Sequence, residues 1–226
     1  MSTIPLRFDT EQDWLSALTV NWQRLGSAAL QKRGVFNVAL AAGAAPEIFY
    51  RALSQVKWPW SATRLFVSDE RQVSPDHPAS RHRAIYRAFY PLAVNLERWK
   101  TELPKAGDTA ADYERRLIRD LGQPPRFDLM VLNLGADGHA AALFPGTKAL
   151  QENTRHTAAH WVPQQDAQCL TITYPVLRQA GEIWLLAKGA DVQPMTRRME
   201  QAADPDYPAT VIVSERGAVK LFNCMI

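Results

Sequence analysis

Three short segments of this 226-residue chain gather residue types that do chemistry, and each follows an apolar, strand-like run. The third in order, Gly135-Ala136-Asp137-Gly138-His139, carries the most. Its glycines permit a sharp turn, Asp137 suits the cap of a following helix, and His139 then falls in that helix's first turn. A histidine there can be neutral near pH 7 and act as a general base, while the turn's N–H groups can face an oxyanion. A capping aspartate beside a structural histidine is the competing account, and residue types alone leave both open. The second segment is Ser68-Asp69-Glu70-Arg71. Arg71 suits a phosphate or carboxylate held by a two-pronged guanidinium, and Asp69 and Glu70 suit sugar hydroxyls or the orientation of Arg71. A solvated, mutually paired charge cluster would look the same. The first segment is Ala41-Ala42-Gly43-Ala44-Ala45-Pro46. Gly43 lets a ligand approach the backbone, and the helix starting near Pro46 offers unpaired N–H groups and a positive dipole end to an anion. A tight turn packed with small residues is the plainer alternative.

The elements that must position these segments follow from periodicity. Thr10–Lys32 reads as a long amphipathic helix, with Trp14, Leu15, Leu18, Trp22, Leu25 and Ala29 near helical spacing. Val35–Leu40 and Arg64–Ser68 read as strands. A helix is expected from Pro46 through Leu53, with others over Ser80–Tyr90 and Thr109–Leu121. Phe127–Leu134 (FDLMVLNL) is the clearest buried strand. Glu182–Lys188 is another, followed by a helix through Met195 and Met199. Thr210–Ser214 and Ala218–Phe222 read as two closing strands around Glu215-Arg216-Gly217. Strand and helix in alternation predict an α/β fold with a mainly parallel sheet. Such sheets bind ligands beyond the carboxyl ends of their strands, where all three segments lie.

Composition sets limits. Apolar residues make up 46% and charged residues 22%, the balance of an ordinary soluble globular chain. The net charge of +3 comes from interspersed residues, so no nucleic-acid tail is expected. No apolar run approaches the ~20 residues of a membrane span and no signal peptide is visible at the start, so a soluble, cytoplasmic protein is expected. Cys169 and Cys224 belong to no metal motif and are expected to be buried, reduced and inert. His77, His82, His156 and His160 lack the setting of His139. His156 and His160 have i,i+4 spacing but no evident acidic partner, so no metal site is expected. Trp58 and Trp60 around Pro59 read as core plugs rather than a partner surface.

Taken together, LAAGAAPEIFYRAL (Leu40–Leu53), RLFVSDERQVSPDHPAS (Arg64–Ser80) and FDLMVLNLGADGHAAALFPG (Phe127–Gly146) resemble the 6-phosphogluconolactonase family, itself related to glucosamine-6-phosphate deaminases. Weaker similarity continues through LTITYPVLRQAGEIWLLAKGA (Leu170–Ala190), so the resemblance covers nearly the whole chain. It implies a single domain over residues 1–226, Rossmann-like, with a central mainly parallel sheet flanked by helices and a smaller lobe. It also implies hydrolysis, without metal or cofactor, of 6-phospho-D-glucono-1,5-lactone to 6-phospho-D-gluconate in the oxidative pentose phosphate pathway. Carried onto this sequence, His139 is the catalytic histidine that takes a proton from the attacking water, and Asp137 orients the turn or the histidine. Arg71 binds the phosphate, Asp69 and Glu70 shape the sugar pocket, and Gly43, Gly135 and Gly138 line the site through their backbone. The expected partner is a small sugar-phosphate lactone, with neither nucleic acid nor membrane, and the chain is expected to be a monomer or weak homodimer.

The sequence departs from the family in three places. The first loop is usually rich in hydroxyls, whereas Ala41–Ala45 has none. Ser80 is followed by Arg81 rather than asparagine. Val192 follows Gly189-Ala190-Asp191 where the family usually has a lysine. Arg81, Arg83 and Lys188 are the basic residues expected to substitute. A divergent homologue acting on another sugar acid or lactone is the alternative. Deaminase chemistry is disfavoured, because Leu143 and Phe144 stand where that family places an Asn-Glu pair.

Overall fold

The computed structural model describes residues 5–215 and 219–226. In chain order the elements are β1 (Leu6–Phe8), α1 (Glu11–Arg33), β2 (Phe36–Leu40), α2 (Ala44–Leu53), β3 (Thr63–Val67), β4 (Asp69–Arg71), α3 (Arg81–Phe89), β5 (Leu96–Glu97), α4 (Ala106–Leu121), β6 (Leu129–Asn133), β7 (Thr157–Val162), β8 (Ala167–Ile172), α5 (Tyr174–Leu177), β9 (Glu182–Lys188), α6 (Gln193–Arg198), α7 (Pro208–Glu215) and β10 (Val219–Cys224).

Seven strands form one sheet in the order β1-β10-β9-β6-β2-β3-β5, and every pairing within it is parallel. The central strands are apolar almost throughout because helices cover the sheet, which leaves no face for polar residues. From β2 the chain builds outward through β3 and β5. From β6 it builds the other way through β9 and β10. The direction of winding therefore reverses between β2 and β6, and the loops leaving these two strands part to open a crevice. A second, antiparallel sheet of order β4-β8-β7 forms the smaller lobe.

Helix α1 shows how local signals and packing agree. Thr10 accepts the backbone N–H of Asp13, and Gly34 ends the helix in the left-handed conformation. Between these caps Trp14, Leu18, Trp22 and Ala29 form the buried stripe. Trp22 then packs edge-on against Phe36, Phe49 and Trp58. Trp58 and Trp60 both pack on the core. Both cysteines are free and buried. Burial pushes the Cys169 thiol up to about 11. No helix among the described residues is long and apolar enough to cross a membrane.

The structure corrects three expectations. The segment read as the strand Thr210–Ser214 lies in helix α7. Parallel neighbours need a crossover between them, and this segment lies in the crossover from β9 to β10 despite its β-branched residues. The second closing strand is Val219–Cys224, and most of the expected turn between the two, residues 216–218, lies outside the described residues. No α-helix follows Gly135–His139; the chain continues through turns to a short 3-10 helix, Lys148–Gln151. Finally, Asp69-Glu70-Arg71 is itself a strand, β4, and pairs with β8.

Candidate active site

The three segments meet at the reversal between β2 and β6. Gly43 follows β2 and lies against Asn133 at the end of β6. A Cβ at Gly43, whose φ is +151°, would stand 2.6 Å from Asn133 Oδ1, so both contact and conformation call for glycine. The second segment is stitched in through Ser68, whose N–H donates to Leu40 O at 2.9 Å and whose carbonyl accepts from Ile172 N–H at 3.0 Å. Asp69 is then paired with Thr171 of β8, and Thr171 Oγ1 accepts the N–H of Ala142, three residues after His139, at 3.2 Å. The small sheet thus ties the charged strand to the histidine turn.

Within that turn Asp137 caps its own loop rather than a helix. Its Oδ1 accepts the backbone N–H of His139 at 3.1 Å and lies 2.6 Å from the ring Nδ1. Burial raises the Asp137 carboxyl, but the hydrogen bond and charge of His139 outweigh it and hold the group below the ordinary carboxylate value. The ring folds back over Gly135, where a Cβ would stand 2.1 Å from Nδ1, so any side chain at 135 would displace the imidazole. Phe144 stacks on the ring, with centroids 4.1 Å apart and planes 16° from parallel. Phe144 belongs to a small apolar cluster with Ala142, Val162 and Cys169. The N–H groups of Gly135 and Gly138 donate within the turn, to His139 O and Gly135 O. With the N–H of His139 also engaged, these three are not the oxyanion donors expected of the turn.

In the charged strand the roles divide. Glu70 is buried and accepts from the N–H groups of Arg71, Arg81 and His82 and from the Ser80 hydroxyl, at 2.6–3.0 Å. Helix α3 begins with basic residues and has no acid in its first turn. Glu70 supplies the anion that its N-terminus lacks. Burial raises the Glu70 carboxyl against the pull of these hydrogen bonds. Both Glu70 carboxylate oxygens are thus taken by protein donors, Arg71 among them, rather than left to sugar hydroxyls. Asp69 accepts the Ser68 hydroxyl at 2.7 Å and lies 3.8 Å from Arg81 Nε. Arg71 bonds Gln165, and burial followed by the charge of Arg81 lowers its basicity. Lys188 points elsewhere. Its Nζ lies 2.7 Å from Ile226 O and 3.4 Å from a Glu11 carboxylate oxygen, toward the chain's end, so it does not join Arg71.

A pocket of about 380 Å³ opens between α2 and α3 beside this strand. Five arginines line it, namely Arg51, Arg71, Arg81, Arg83 and Arg87, with Glu47 as the acid among them. Sequence reasoning missed Arg51, Arg87 and Glu47 because they sit within helices, where an exposed charge reads as a solvated face. It also missed Phe144, which it treated only as a replacement for an acid. His156 does have an acidic partner, Glu114, at 3.1 Å. His160, four residues on, bonds a carbonyl, Ala142 O at 3.0 Å. Among the described residues no group of three or more His, Cys, Asp or Glu stands close enough to hold a metal ion.

Fold and turn together define an α/β protein with an Asp–His pair at the winding reversal of a parallel sheet. The family model described as glucosamine-6-phosphate isomerases/6-phosphogluconolactonase matches residues 9–221, and the chain belongs to that family. It is 35% identical over 195 residues to the 6-phosphogluconolactonase of Synechocystis sp., covering 81% of this chain and 80% of that one. The corresponding protein of Nostoc sp. is 32% identical over 195 residues with the same coverage. Among solved structures, the 6-phosphogluconolactonase of Thermotoga maritima superposes with a TM-score of 0.83 at 22% identity, covering 99% of this chain and all of that one. That of Trypanosoma brucei gives 0.84 at 22% identity, covering 99% and 97%. At such identities the structures establish the shared fold.

Proposed function

We propose that the chain hydrolyses 6-phospho-D-glucono-1,5-lactone to 6-phospho-D-gluconate, the hydrolytic step of the oxidative pentose phosphate pathway, in the cytoplasm. The observation that carries this is the 2.6 Å contact between Asp137 and His139 Nδ1, in a chain whose curated relatives are 6-phosphogluconolactonases. The carboxylate accepts Nδ1–H, which leaves the lone pair on Nε2. Nε2 takes a proton from water as that oxygen attacks C1 of the lactone. The tetrahedral intermediate collapses with cleavage of the C1–ring oxygen bond, and the imidazolium returns its proton to the departing oxygen. Asp137 steadies the imidazolium between these transfers. Asp69 and Arg71 face the sugar and its phosphate. Lys188, turned to Glu11 and Ile226, lies outside this set.

Replacing His139 by alanine tests the assignment. Turnover should fall at least ~10²-fold, the scale of general-base loss. Unchanged turnover would refute the role. The loop Ala41–Ala45, without a hydroxyl, favours a second account, in which another sugar lactone is the substrate. Rates on the 6-phospholactone and on unphosphorylated gluconolactone separate the two, since equal or faster hydrolysis without the phosphate supports the second.

A further inference from the structure

The pocket between α2 and α3 carries more positive charge than its own acids neutralise. Arg83 and Arg87 are one helical turn apart on α3 and so share a face, and Arg51 faces the same pocket from α2. Among the described residues none of these three guanidiniums engages an acidic partner. The one acid of the lining, Glu47, turns toward its own helix start, where it accepts the Gly43 N–H at 3.2 Å. That bond has two effects. It takes the backbone donor that Gly43 would offer an anion, in a loop that has no hydroxyl to add. It also fixes the negative charge of Glu47 at the N-terminus of α2. Charge recognition thus falls to the arginines. Like charges held around one pocket repel each other, and a bound anion relieves that repulsion.

We propose that the substrate's phosphoryl group seats in this pocket, gripped by Arg83 and Arg87 of α3 and Arg51 of α2, with Arg71 and Arg81 at its inner end. The seat rests on the lactonase assignment and adds to it how that assignment's substrate is recognised. Guanidinium forks match the terminal oxygens of a phosphoryl dianion two at a time, which suits a seat made of arginine alone. A volume of about 380 Å³ is ample for that group and the carbon bearing it. Arg81, 3.8 Å from Asp69, links the seat to the strand facing the sugar.

Calorimetric titration of 6-phosphogluconate and of gluconate into the full chain tests the seat, with Arg83→Gln and Arg87→Gln prepared separately. Arg87 is exposed and Arg83 half-buried, and thermal melts verify that each variant folds. Each variant should bind 6-phosphogluconate about tenfold more weakly, the effect of losing one charged hydrogen bond, with gluconate affinity unaltered. Arg83→Lys should recover part of the loss. Loss of no more than about twofold in both glutamine variants, the scale of a screened surface charge, overturns the proposal. Equal weakening of both ligands also overturns it, because it would mark a reshaped sugar pocket. The readout is binding rather than turnover. An inactive parent protein that still loses phosphosugar affinity in these variants would therefore sink the lactonase assignment and leave the phosphoryl seat standing.

Discussion

Replacing Asp137 by asparagine isolates what the carboxylate does for His139. Oδ1 accepts both the backbone N–H of His139 and the ring Nδ1–H. Asparagine keeps an oxygen for both, so the turn stays closed and only the charge is lost. That charge matters most when the ring is an imidazolium, between abstraction of the water proton and its return. A hydrogen bond to a charged group contributes about 1.5–3 kcal/mol. The side chain of Asp137 is 41% exposed, so solvent screening draws the figure to the lower end, about 1.5–2 kcal/mol. The expected fall in kcat is about 10–30-fold, with KM little changed because the loss is confined to the transition state. Proton release in weak buffer, with spontaneous lactone opening subtracted, measures it. A kcat within about twofold of the parent would show that the histidine does not depend on this carboxylate. Linkage gives a second readout. The Asp137 carboxyl is held below its ordinary value in the folded chain, so its contribution to stability is present above the unfolded value, about 3.9, and disappears as pH falls through the folded one. The gap in urea midpoint between parent and variant should close as the solution is acidified below that range.

Two further outcomes follow from buried groups. Glu70→Gln replaces an acceptor oxygen with an N–H₂ group facing donors. It should cost about 2–3 kcal/mol, and the melting temperature should drop by about 4–10 °C in calorimetry, whereas a shift below about 1 °C would contradict the capping role. Cys169, with its thiol pushed up to about 11 inside the small apolar cluster, should resist alkylation by iodoacetamide at pH 8 in the native protein. Mass spectrometry should find it modified only after unfolding, and rapid native labelling would show that the cluster opens.

The parallel sheet was legible because its strands are buried on both faces and read as unbroken apolar runs, FDLMVLNL above all. The meeting place of the three segments was legible for the same reason, since each directly follows such a run. Where expectation failed, local pattern was overruled from a distance. Thr210–Ser214 read as strand, yet the N–H of Ala209 just before it is taken by Gly138 O, and a parallel neighbour strand leaves room only for a crossover there. Asp137 was assigned to the cap of a helix that does not form; its oxygen closes the turn onto His139, and the chain goes on to a bridge between Ala140 and Leu143. The capping role of Glu70 was missed because its partners, Ser80 to His82, lie ten and more residues along the chain. Strands β7 and β8 show mixed polarity and mixed burial, so their role in joining Asp69 to Ala142 has no periodic signature.

The carboxylate that seals the start of α3 belongs to the residue immediately before Arg71. Two elements that bring guanidiniums to one pocket are thus fastened to each other by three hydrogen bonds around a single buried side chain. Their relative placement is settled when the protein folds rather than when a ligand arrives, so the ordering entropy of that part of the site is not charged against affinity. An anion should therefore meet a nearly rigid receptor where β4 joins the start of α3. The adjustable part of the site should be Arg51 and Arg87, whose exposed side chains retain their rotamer freedom until something negative comes between them.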